Sequence, residues 1–180
     1  AGHSLGDYIS LVAALAMSLG DAVKLVHLRG KLMQEAVPEG QGAMAAILGL
    51  DDAKVLALCA EVNAQGQGSV DAANYNAQGQ VVVAGDKAAV EAVMLAAKEQ
   101  SGKAIALPVS VPSHCSLMKP AAEKFAQALE QTNIELPHLA VIQNVNAAIA
   151  TDVAQLRQAL TAQLYQSVQW TKTMQYLQDQ

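Results

Sequence analysis

The chain opens on a five-residue motif, Gly2-His3-Ser4-Leu5-Gly6, with the pattern Gly-x-Ser-x-Gly. This pattern is typical of a sharp turn from a strand into a helix, in which the serine backbone is strained and small neighbours avoid clashes. A long apolar segment follows the motif at once, as such a turn requires. The Ser4 hydroxyl would lie at a helix N-terminus, where backbone N–H groups and the helix dipole favour an oxyanion. We therefore predict Ser4 as a nucleophile, with a glycine-rich helix cap as the structural alternative.

A serine nucleophile needs a general base, and the sequence offers four histidines. His3 adjoins the serine, so its side chain is expected to point away, and His27 has the spacing of a structural residue in a helix. His138 follows a proline, with no carboxylate placed to orient it. His114 lies in a predicted turn after a small α/β segment, where loops commonly line a cleft. His114 is therefore the best candidate base, and a structural turn histidine is the alternative.

The composition favours a folded chain with a large core. Of the 180 residues, 52% are hydrophobic and 15% are charged, and the formal net charge is −5. Disordered chains have the opposite balance. The sequence has no cluster of Lys and Arg, which argues against a nucleic-acid partner.

Cysteine usage and hydropathy narrow the class further. Cys59 and Cys115 lack the spacing of a zinc site, so they are interpreted as reduced thiols in a cytoplasmic protein. No apolar run reaches the roughly 18 residues that a membrane span needs. The apolar stretch at 9–19 is interpreted as a buried helix. We expect no metal and no membrane association.

Apolar periodicity and turn residues predict the secondary structure. Helices are expected at 5–18, 21–36, 51–62, 86–100, 119–131, 152–166 and 168–178, and strands at 43–48, 69–76, 80–84, 103–107 and 139–144.

The predicted elements divide the chain into two parts. The order over 43–107 is βαββαβ, which is the ferredoxin-like pattern, and we expect a small inserted subdomain there. Segments 1–42 and 108–180 are expected to form an α/β core with a parallel sheet. The chain has no initial Met and ends inside a predicted helix, so we expect a central piece of a longer polypeptide.

Several stretches resemble the malonyl-CoA:acyl carrier protein transacylases of type II fatty acid synthesis, in the same order and spacing over nearly the whole chain. They are Gly2-His3-Ser4-Leu5-Gly6, Leu28-Arg29-Gly30 through Met33-Gln34, Gly42-Ala43-Met44-Ala45-Ala46, Ala73-Asn74-Tyr75-Asn76, Gly79-Gln80-Val81-Val82, Val109 through Cys115, Leu117-Met118-Lys119-Pro120, Gln163-Leu164-Tyr165 and Val168-Gln169-Trp170.

The resemblance implies a hydrolase-like core and a ping-pong acyl transfer with a role for four residues. Ser4 would attack the malonyl thioester and hold the malonyl group as an ester. His114 would take the serine proton and later deprotonate the carrier-protein thiol. A carbonyl of Gln163 would orient that imidazole, in place of a carboxylate. Arg29 would grip the malonyl carboxylate with its planar fork.

The resemblance also assigns supporting roles. The N–H of Leu5 would be an oxyanion donor, Met33 would wall the pocket, and Asn74 and Asn76 would lie near the cleft. The substrates implied are malonyl-CoA and acyl carrier protein, with no metal or redox cofactor. Two positions depart from the family, Asp7 where Glu is usual and Ser167 where Pro is usual. Neither is expected to touch the chemistry.

Three other functions stay open at this stage. A polyketide synthase acyltransferase domain would share most of these motifs. A serine esterase would share the elbow, but that fold expects the chain order Ser, acid, His and has no use for Arg29. A non-enzymatic binder of carrier protein or CoA would need none of the chemistry. The resemblance implies that an N-terminal part expected before this chain carries a second oxyanion donor, so the chain alone is expected to be poorly folded or inactive.

Overall fold

The computed structural model describes residues 1–109 and 111–180, and within them seven α-helices and four strands are found. The helices are α1 (Gly6–Ala13), α2 (Leu19–Ala36), α3 (Asp52–Ala64), α4 (Lys87–Glu99), α5 (Lys119–Gln131), α6 (Val153–Ala162) and α7 (Trp170–Gln178). The strands are β1 (Gly42–Leu48), β2 (Val70–Ala77), β3 (Gln80–Asp86) and β4 (Lys103–Ala106). Ser110, in the predicted turn before His114, lies outside the described residues.

Helix α1 is shorter than the sequence indicates. It ends at Ala13 because the chain reverses through Leu15, whose φ is 60°. The N–H of Ala16 then returns to the carbonyl of Leu11 at 2.8 Å, which is the hydrogen bond of a left-handed helix cap. Such caps usually carry glycine, and this one does not. The predicted end at Ser18 was wrong for that reason.

Helix α2 begins where a serine caps it. The Ser18 hydroxyl accepts a hydrogen bond from the backbone N–H of Asp21 at 3.0 Å. The prediction that this helix begins at Asp21 was therefore two residues late, because its first residue is Leu19. The buried residues of α2 recur every three or four positions and form one inward stripe: Ala22, Leu25, Arg29 and Met33. The spacing thus turns the arginine toward the interior.

The four strands form one antiparallel sheet with the order β2-β3-β1-β4. The predicted order of elements over 43–107, strand-helix-strand-strand-helix-strand, is confirmed within two residues at each boundary. Val81, Val82 and Val83 in β3 are buried, which is typical of a strand covered on both faces. The fold is therefore mixed α/β with an antiparallel sheet.

The two faces of the sheet have different coverings. Helices α3 and α4 cover one face with an aliphatic cluster that includes Val55, Leu58 and Val93. The other face packs its own buried side chains, Met44 and Ala84 among them, against Cys115 and Leu117 in a second cluster. The segment that carries His114 is therefore attached to the sheet.

A third cluster joins the helices of the remaining segments. Its buried members come mainly from α1, α2, α5 and α6, with Phe125 of α5 fully buried against Tyr8 of α1, ring centroids 6.4 Å apart. This cluster holds the start of α1 and the stripe of α2 in one packed unit.

Two predictions in the second half of the chain were wrong. The strand expected at 139–144 forms only a single bridge, from Ile142 to Ile149, because no neighbouring strand extends along it. Helix α6 ends at Ala162, four residues before its predicted end. Among the described residues, parallel pairing is limited to the bridge between Asn74 and Val168. The parallel sheet expected for the core is not formed by this part of the chain.

Helices α1 and α2 leave an apolar groove open to solvent. Ile9, Leu19 and Val23 are each at least 60% exposed, and the groove they line has a volume of about 530 Å³. No helix in residues 1–109 and 111–180 is long and apolar enough to cross a membrane.

Candidate active site

Ser4 occupies a strained turn directly before α1. Its φ is 51°, in the left-handed region that non-glycine residues rarely adopt. The N–H groups of Gly6 and Asp7 close the turn on the carbonyls of His3 and Ser4, at 2.9 and 3.0 Å. The backbone N–H of Ser4 itself donates to Asn144 Oδ1 at 2.6 Å. The turn predicted from the Gly-x-Ser-x-Gly pattern is confirmed.

Glycine is required at position 2 because the turn leaves no room for a side chain there. A Cβ atom at Gly2 would lie 2.1 Å from the carbonyl oxygen of Gly6, well inside van der Waals contact. Backbone cannot move aside without opening the turn. Asn144 fixes the same region, because its Nδ2 donates to the Gly2 carbonyl at 2.7 Å.

His114 reaches Ser4 across 110 positions of sequence. Its Nε2 lies 2.8 Å from Ser4 Oγ, and its Nδ1 lies 2.6 Å from the backbone carbonyl of Gln163. A carbonyl only accepts, so Nδ1 must carry the proton and Nε2 must be the free acceptor for the serine hydroxyl. The imidazole is therefore held in the tautomer that a general base needs.

The end of α6 supplies the groups that hold His114. The last carbonyls of a helix have no partner within it. Here the Gln163 carbonyl accepts from the His114 ring, and the Leu164 carbonyl accepts from the His114 backbone N–H at 3.0 Å. His114 itself has a φ of 62°, so these two bonds hold a second strained residue.

The environment keeps His114 neutral. The residue is 3% exposed, and this burial, together with the positive charge of Arg29, lowers the pKa of the imidazole to about 3. A neutral ring can accept the serine proton over the whole physiological pH range.

Arg29 lies on the other side of the serine hydroxyl. Its Nη2 donates to Ser4 Oγ at 3.1 Å and to Gln163 Oε1 at 3.3 Å, and the residue is only 7% exposed. The ion pairs found among the described residues join Lys24 to Asp21 and Lys31 to Glu35, so none of them involves Arg29. Burial lowers the pKa of the guanidinium below its ordinary value. The site thus holds a buried cation suited to a carboxylate ligand.

Gln163 is fully buried and joins three parts of the site. Its backbone carbonyl accepts from His114, and its side-chain Oε1 accepts from Arg29. Its Nε2 donates to the Ser4 carbonyl at 3.1 Å and to Asp7 Oδ2 at 2.8 Å. Gln163 is therefore not an exposed glutamine on a helix surface.

The other predicted site residues lie around this centre with weaker links. The Leu5 N–H directly follows Ser4, and no hydrogen bond from it is found within residues 1–109 and 111–180. Met33 is buried one turn beyond Arg29. Asn74 is buried in β2, and its Nδ2 has no partner among the described groups. Asn76 Oδ1 lies 2.9 Å from Nε2 of His3.

The three remaining histidines make no contact with Ser4 Oγ in the described structure. The His3 ring turns to Asn76 and packs edge-on against Trp170, with centroids 5.3 Å apart. His27 and His138 are exposed. The selection of His114 from four candidates is thus supported by position.

Two contributors to the site were missed from the sequence. Asn144 bonds to both Gly2 and Ser4 of the elbow, and Asp7 was expected not to touch the chemistry although it accepts from Gln163. Asn144 had a signal: Gln143 and Asn144 are polar residues inside an otherwise apolar run from Val141 to Val145. Asp7 had none that distinguishes it from an ordinary acidic residue in a first helical turn.

A cleft of about 480 Å³ opens beside His114. Tyr75, Ser116 and Ser167 are among the residues that line it. Ser167 also donates to the carbonyl of Ala72 at 2.5 Å, so it joins the α6–α7 connection to the sheet. Within the described residues, no three His, Cys, Asp or Glu side chains are grouped as a metal site requires.

Replacing Gly2 by Ala should abolish the serine's reactivity. The added methyl overlaps the Gly6 carbonyl, so the elbow must open and Ser4 must leave His114. We expect labelling of Ser4 by a fluorophosphonate to fall at least ~100-fold, the scale of a lost general base. Gly30→Ala is the matched control, since a methyl there meets open space. Normal labelling of Gly2→Ala would contradict this account of the turn.

Asp7 should make stability depend on pH. Burial, partly offset by the hydrogen bond from Gln163, raises the pKa of its carboxyl from 3.8 to about 7. The contribution of Asp7 to the free energy of unfolding is therefore fully present below about pH 4 and is lost as the pH rises through 7. A three-unit shift of the pKa corresponds to a loss of ~4 kcal/mol. Asp7→Asn, which resembles the protonated acid, should raise the free energy of unfolding at pH 8 and match wild type near pH 4. Denaturant titrations of the full-length protein at both values check this. An equal difference at both values would assign the effect to packing.

Comparison with known proteins adds an independent line. The acyl transferase domain model matches residues 1–175. Malonyl CoA-acyl carrier protein transacylases from Salmonella typhimurium and from Escherichia coli K12 are 52% and 53% identical over 178 residues. The alignments cover 98% of this chain and 57% of each relative, so the chain spans a little over half the length of the curated relatives it matches.

Solved structures give the same result. FabD from Acinetobacter baumannii is 79% identical and superposes with a TM-score of 0.97, over 98% of this chain and 56% of that one. A malonyl-transacylase in complex with its type II PKS acyl-carrier protein is 49% identical, with a TM-score of 0.95 over 98% and 57% of the two chains. With the family model matching nearly its whole length, this chain belongs to the acyl transferase domain family.

Proposed function

We propose that the full-length protein transfers a malonyl group from malonyl-CoA to the phosphopantetheine thiol of acyl carrier protein, in fatty acid biosynthesis. The observation that carries the proposal is the convergence on one hydroxyl: Ser4 Oγ lies 2.8 Å from a neutral imidazole and 3.1 Å from a buried guanidinium. The first pair is the chemistry of acyl transfer, and the second selects an acyl group that ends in a carboxylate. The malonyl transacylases among the relatives support this reading.

The first half-reaction loads Ser4. As Oγ attacks the thioester carbonyl of malonyl-CoA, His114 Nε2 takes the hydroxyl proton. The tetrahedral intermediate then collapses, the carbon–sulfur bond breaks, and the imidazolium returns its proton to the departing CoA thiolate. The products are a malonyl-Ser4 ester and free CoA.

The second half-reaction reverses the roles of the groups. The carrier-protein thiol gives its proton to His114, and the thiolate attacks the ester carbonyl. The Ser4–acyl bond breaks, and the serine oxygen recovers the proton from the imidazolium. Throughout, the Gln163 carbonyl accepts from Nδ1 and steadies the ring in both charge states.

The oxyanion formed in each half-reaction is proposed to be bound by the N–H of Leu5. This group lies at the start of α1, where the helix dipole also favours negative charge. Neither half-reaction needs a metal or a redox cofactor, since proton transfer and nucleophilic attack suffice.

Arg29 is proposed to bind the malonyl carboxylate and so exclude acetyl groups. A methyl group opposite the buried guanidinium would leave the cation unpaired, at a cost of roughly 2–5 kcal/mol. Met33 would wall the same pocket from the next turn of α2. Asn74 and Asn76 would lie near the thioester arm, on the strand beside His3.

For the architecture, we propose that 43–107 is a ferredoxin-like subdomain inserted into a hydrolase-like core formed by 1–42 and 108–180. The separate aliphatic clusters of the sheet and of the helices support that division. The open groove on α1 and α2 supports packing of these helices against a sheet from the rest of the full-length protein. A cytoplasmic location fits the two free buried cysteines.

A polyketide carrier protein is the second candidate acceptor. One solved relative is bound to a type II PKS acyl-carrier protein, and the chemistry at Ser4 is the same for either thiol. A general esterase is less compatible with the site, because an ester whose acyl group has no carboxylate gives the buried Arg29 no partner.

Radiolabelled malonyl-CoA tests the proposal directly. We expect one equivalent of acid-stable label on Ser4 of the full-length protein, located by peptide mass spectrometry and discharged by holo acyl carrier protein. Ser4→Ala should take up none, and His114→Ala should load at least ~100-fold more slowly. Ser10→Ala is a control on the same helix, where the hydroxyl only bonds to the Gly6 carbonyl. Absence of label on wild type, or release to water faster than to the carrier thiol, would overturn the proposal.

Arg29→Ala should reverse much of the preference for malonyl-CoA over acetyl-CoA. Loss of a charge-assisted carboxylate bond predicts a fall in malonyl kcat/KM of at least ~10-fold, with acetyl transfer unchanged or faster. Arg157→Ala is the matched control, since that side chain donates only to the carbonyl of Thr132. Unchanged selectivity in Arg29→Ala would remove it as the anchor.

A further inference from the structure

Asp7 is a buried carboxyl that the acyl-transfer steps leave without a role. It is 1% exposed and lies in the first turn of α1, three residues after the nucleophile. Its Oδ2 accepts from Gln163 Nε2 at 2.8 Å. A carboxyl taken out of water without a full set of partners is costly, so its presence so close to Ser4 calls for a function.

The Gln163 side chain has only one good orientation, and acceptors define it. Its Nε2 faces three oxygens: Asp7 Oδ2 at 2.8 Å, the Ser4 carbonyl at 3.1 Å and Asn144 Oδ1 at 3.4 Å. Its Oε1 faces a donor, Arg29 Nη2, at 3.3 Å. Rotating the amide by half a turn would set oxygen against oxygen on one side and N–H against N–H on the other.

Asp7 provides the shortest of the three acceptor contacts. The Ser4 carbonyl is also engaged by the Asp7 backbone N–H, and Asn144 Oδ1 already accepts from the Ser4 N–H at 2.6 Å. The carboxyl is therefore the acceptor with most capacity left for the amide. Without it, the amide loses its closest restraint, and Oε1 no longer has a fixed place opposite Arg29.

We propose that Asp7 is a positioning residue that fixes the Gln163 amide, so that Gln163 Oε1 holds the Arg29 guanidinium at the acyl site. The inference rests on the proposed function, because it gives the amide a part in carboxylate selection. Gln163 then positions two different residues. Its backbone carbonyl orients His114, and its side chain, set by Asp7, orients Arg29.

Because the two roles of Gln163 are separate, loss of the Asp7 carboxyl should impair the selection of malonyl groups and leave the general base intact. Asp7→Leu replaces the carboxyl by an apolar group of similar size and leaves the backbone of Gln163 unchanged. We expect kcat/KM for malonyl-CoA to fall about tenfold, the effect of one lost hydrogen bond to a charged network, and that for acetyl-CoA to stay within about twofold. Labelling of Ser4 by a neutral fluorophosphonate, which needs His114 but no carboxylate anchor, should stay within about twofold of wild type.

Three further variants of the full-length protein separate positioning from folding. Asp7→Asn keeps an acceptor at the same place and should restore malonyl selectivity. Gln163→Met keeps the backbone carbonyl and should reproduce the Asp7→Leu defect, and the double variant should be no worse than Gln163→Met alone. Asp152→Ala removes a cap of α6, the hydrogen bond to the Gln155 N–H at 2.8 Å, and should lower stability without changing selectivity.

The outcomes distinguish this inference from the proposed function. If wild type takes no malonyl group on Ser4, the function fails and the positioning role fails with it. If wild type loads malonyl but Asp7→Leu keeps full malonyl selectivity, only the positioning role is overturned. Should Asp7→Leu not fold, Gln163→Met decides: normal selectivity in that variant also overturns the role. Loss of selectivity with normal fluorophosphonate labelling supports it.

Discussion

The site depends on one hydrogen bond, from the His114 ring to the free carbonyl at the end of α6. That carbonyl is available because α6 stops at Ala162, which leaves the next residues without helical partners. Gln163 and Leu164 directly follow the last helical residue, so their carbonyls are free to accept from the ring and the backbone N–H of His114. The end of a helix thus decides which nitrogen of the imidazole carries the proton. A neutral acceptor in this place orients the ring without adding a second charge to a buried site that already contains Arg29.

Arg29 affects both halves of the proposed chemistry through the same charge. It lies beside Ser4 Oγ, where it suits a carboxylate on the acyl group, and it also lowers the pKa of His114. A buried aspartate beside the imidazole would oppose that second effect. The acidic group of this site, Asp7, is instead held away from the ring, bonded to the Gln163 amide. Burial raises the pKa of the Asp7 carboxyl to about 7. At neutral pH the carboxyl is therefore partly protonated, whereas the His114 ring is fully neutral. The raised pKa of Asp7 thus weakens its neutralisation of Arg29, the cation proposed to bind a carboxylate.

The parts of the fold and the site that could be predicted from the sequence are those that depend on local sequence patterns. The elbow and the strand-helix pattern over 43–107 depend on local sequence, and both are confirmed. The choice of His114 needed the position of a loop, and the roles of Arg29 and Gln163 rest on the family resemblance alone. The cap at Leu15 uses a left-handed residue without glycine, so no local residue indicated it. The hydrogen bonds of Asn144 to Gly2 and Ser4 join positions more than 130 residues apart. A single sequence does not show that such distant positions meet in space.

The same long-range contacts hold in place the two turns that carry Ser4 and His114. Ser4 and His114 both have positive φ, and each is held by a bond from elsewhere: Asn144 on the serine N–H, the Leu164 carbonyl on the histidine N–H. Just after His114, Cys115 is buried on the sheet, and Ser116 gives both its N–H and its hydroxyl to Asp71 of β2 at 2.7 Å. The base is therefore fixed to the sheet on one side and to α6 on the other. The strained backbone of these two residues persists only while the attachments to the sheet and to α6 are both intact. Ser4 and His114 should therefore lose their alignment together when the sheet separates from the helices.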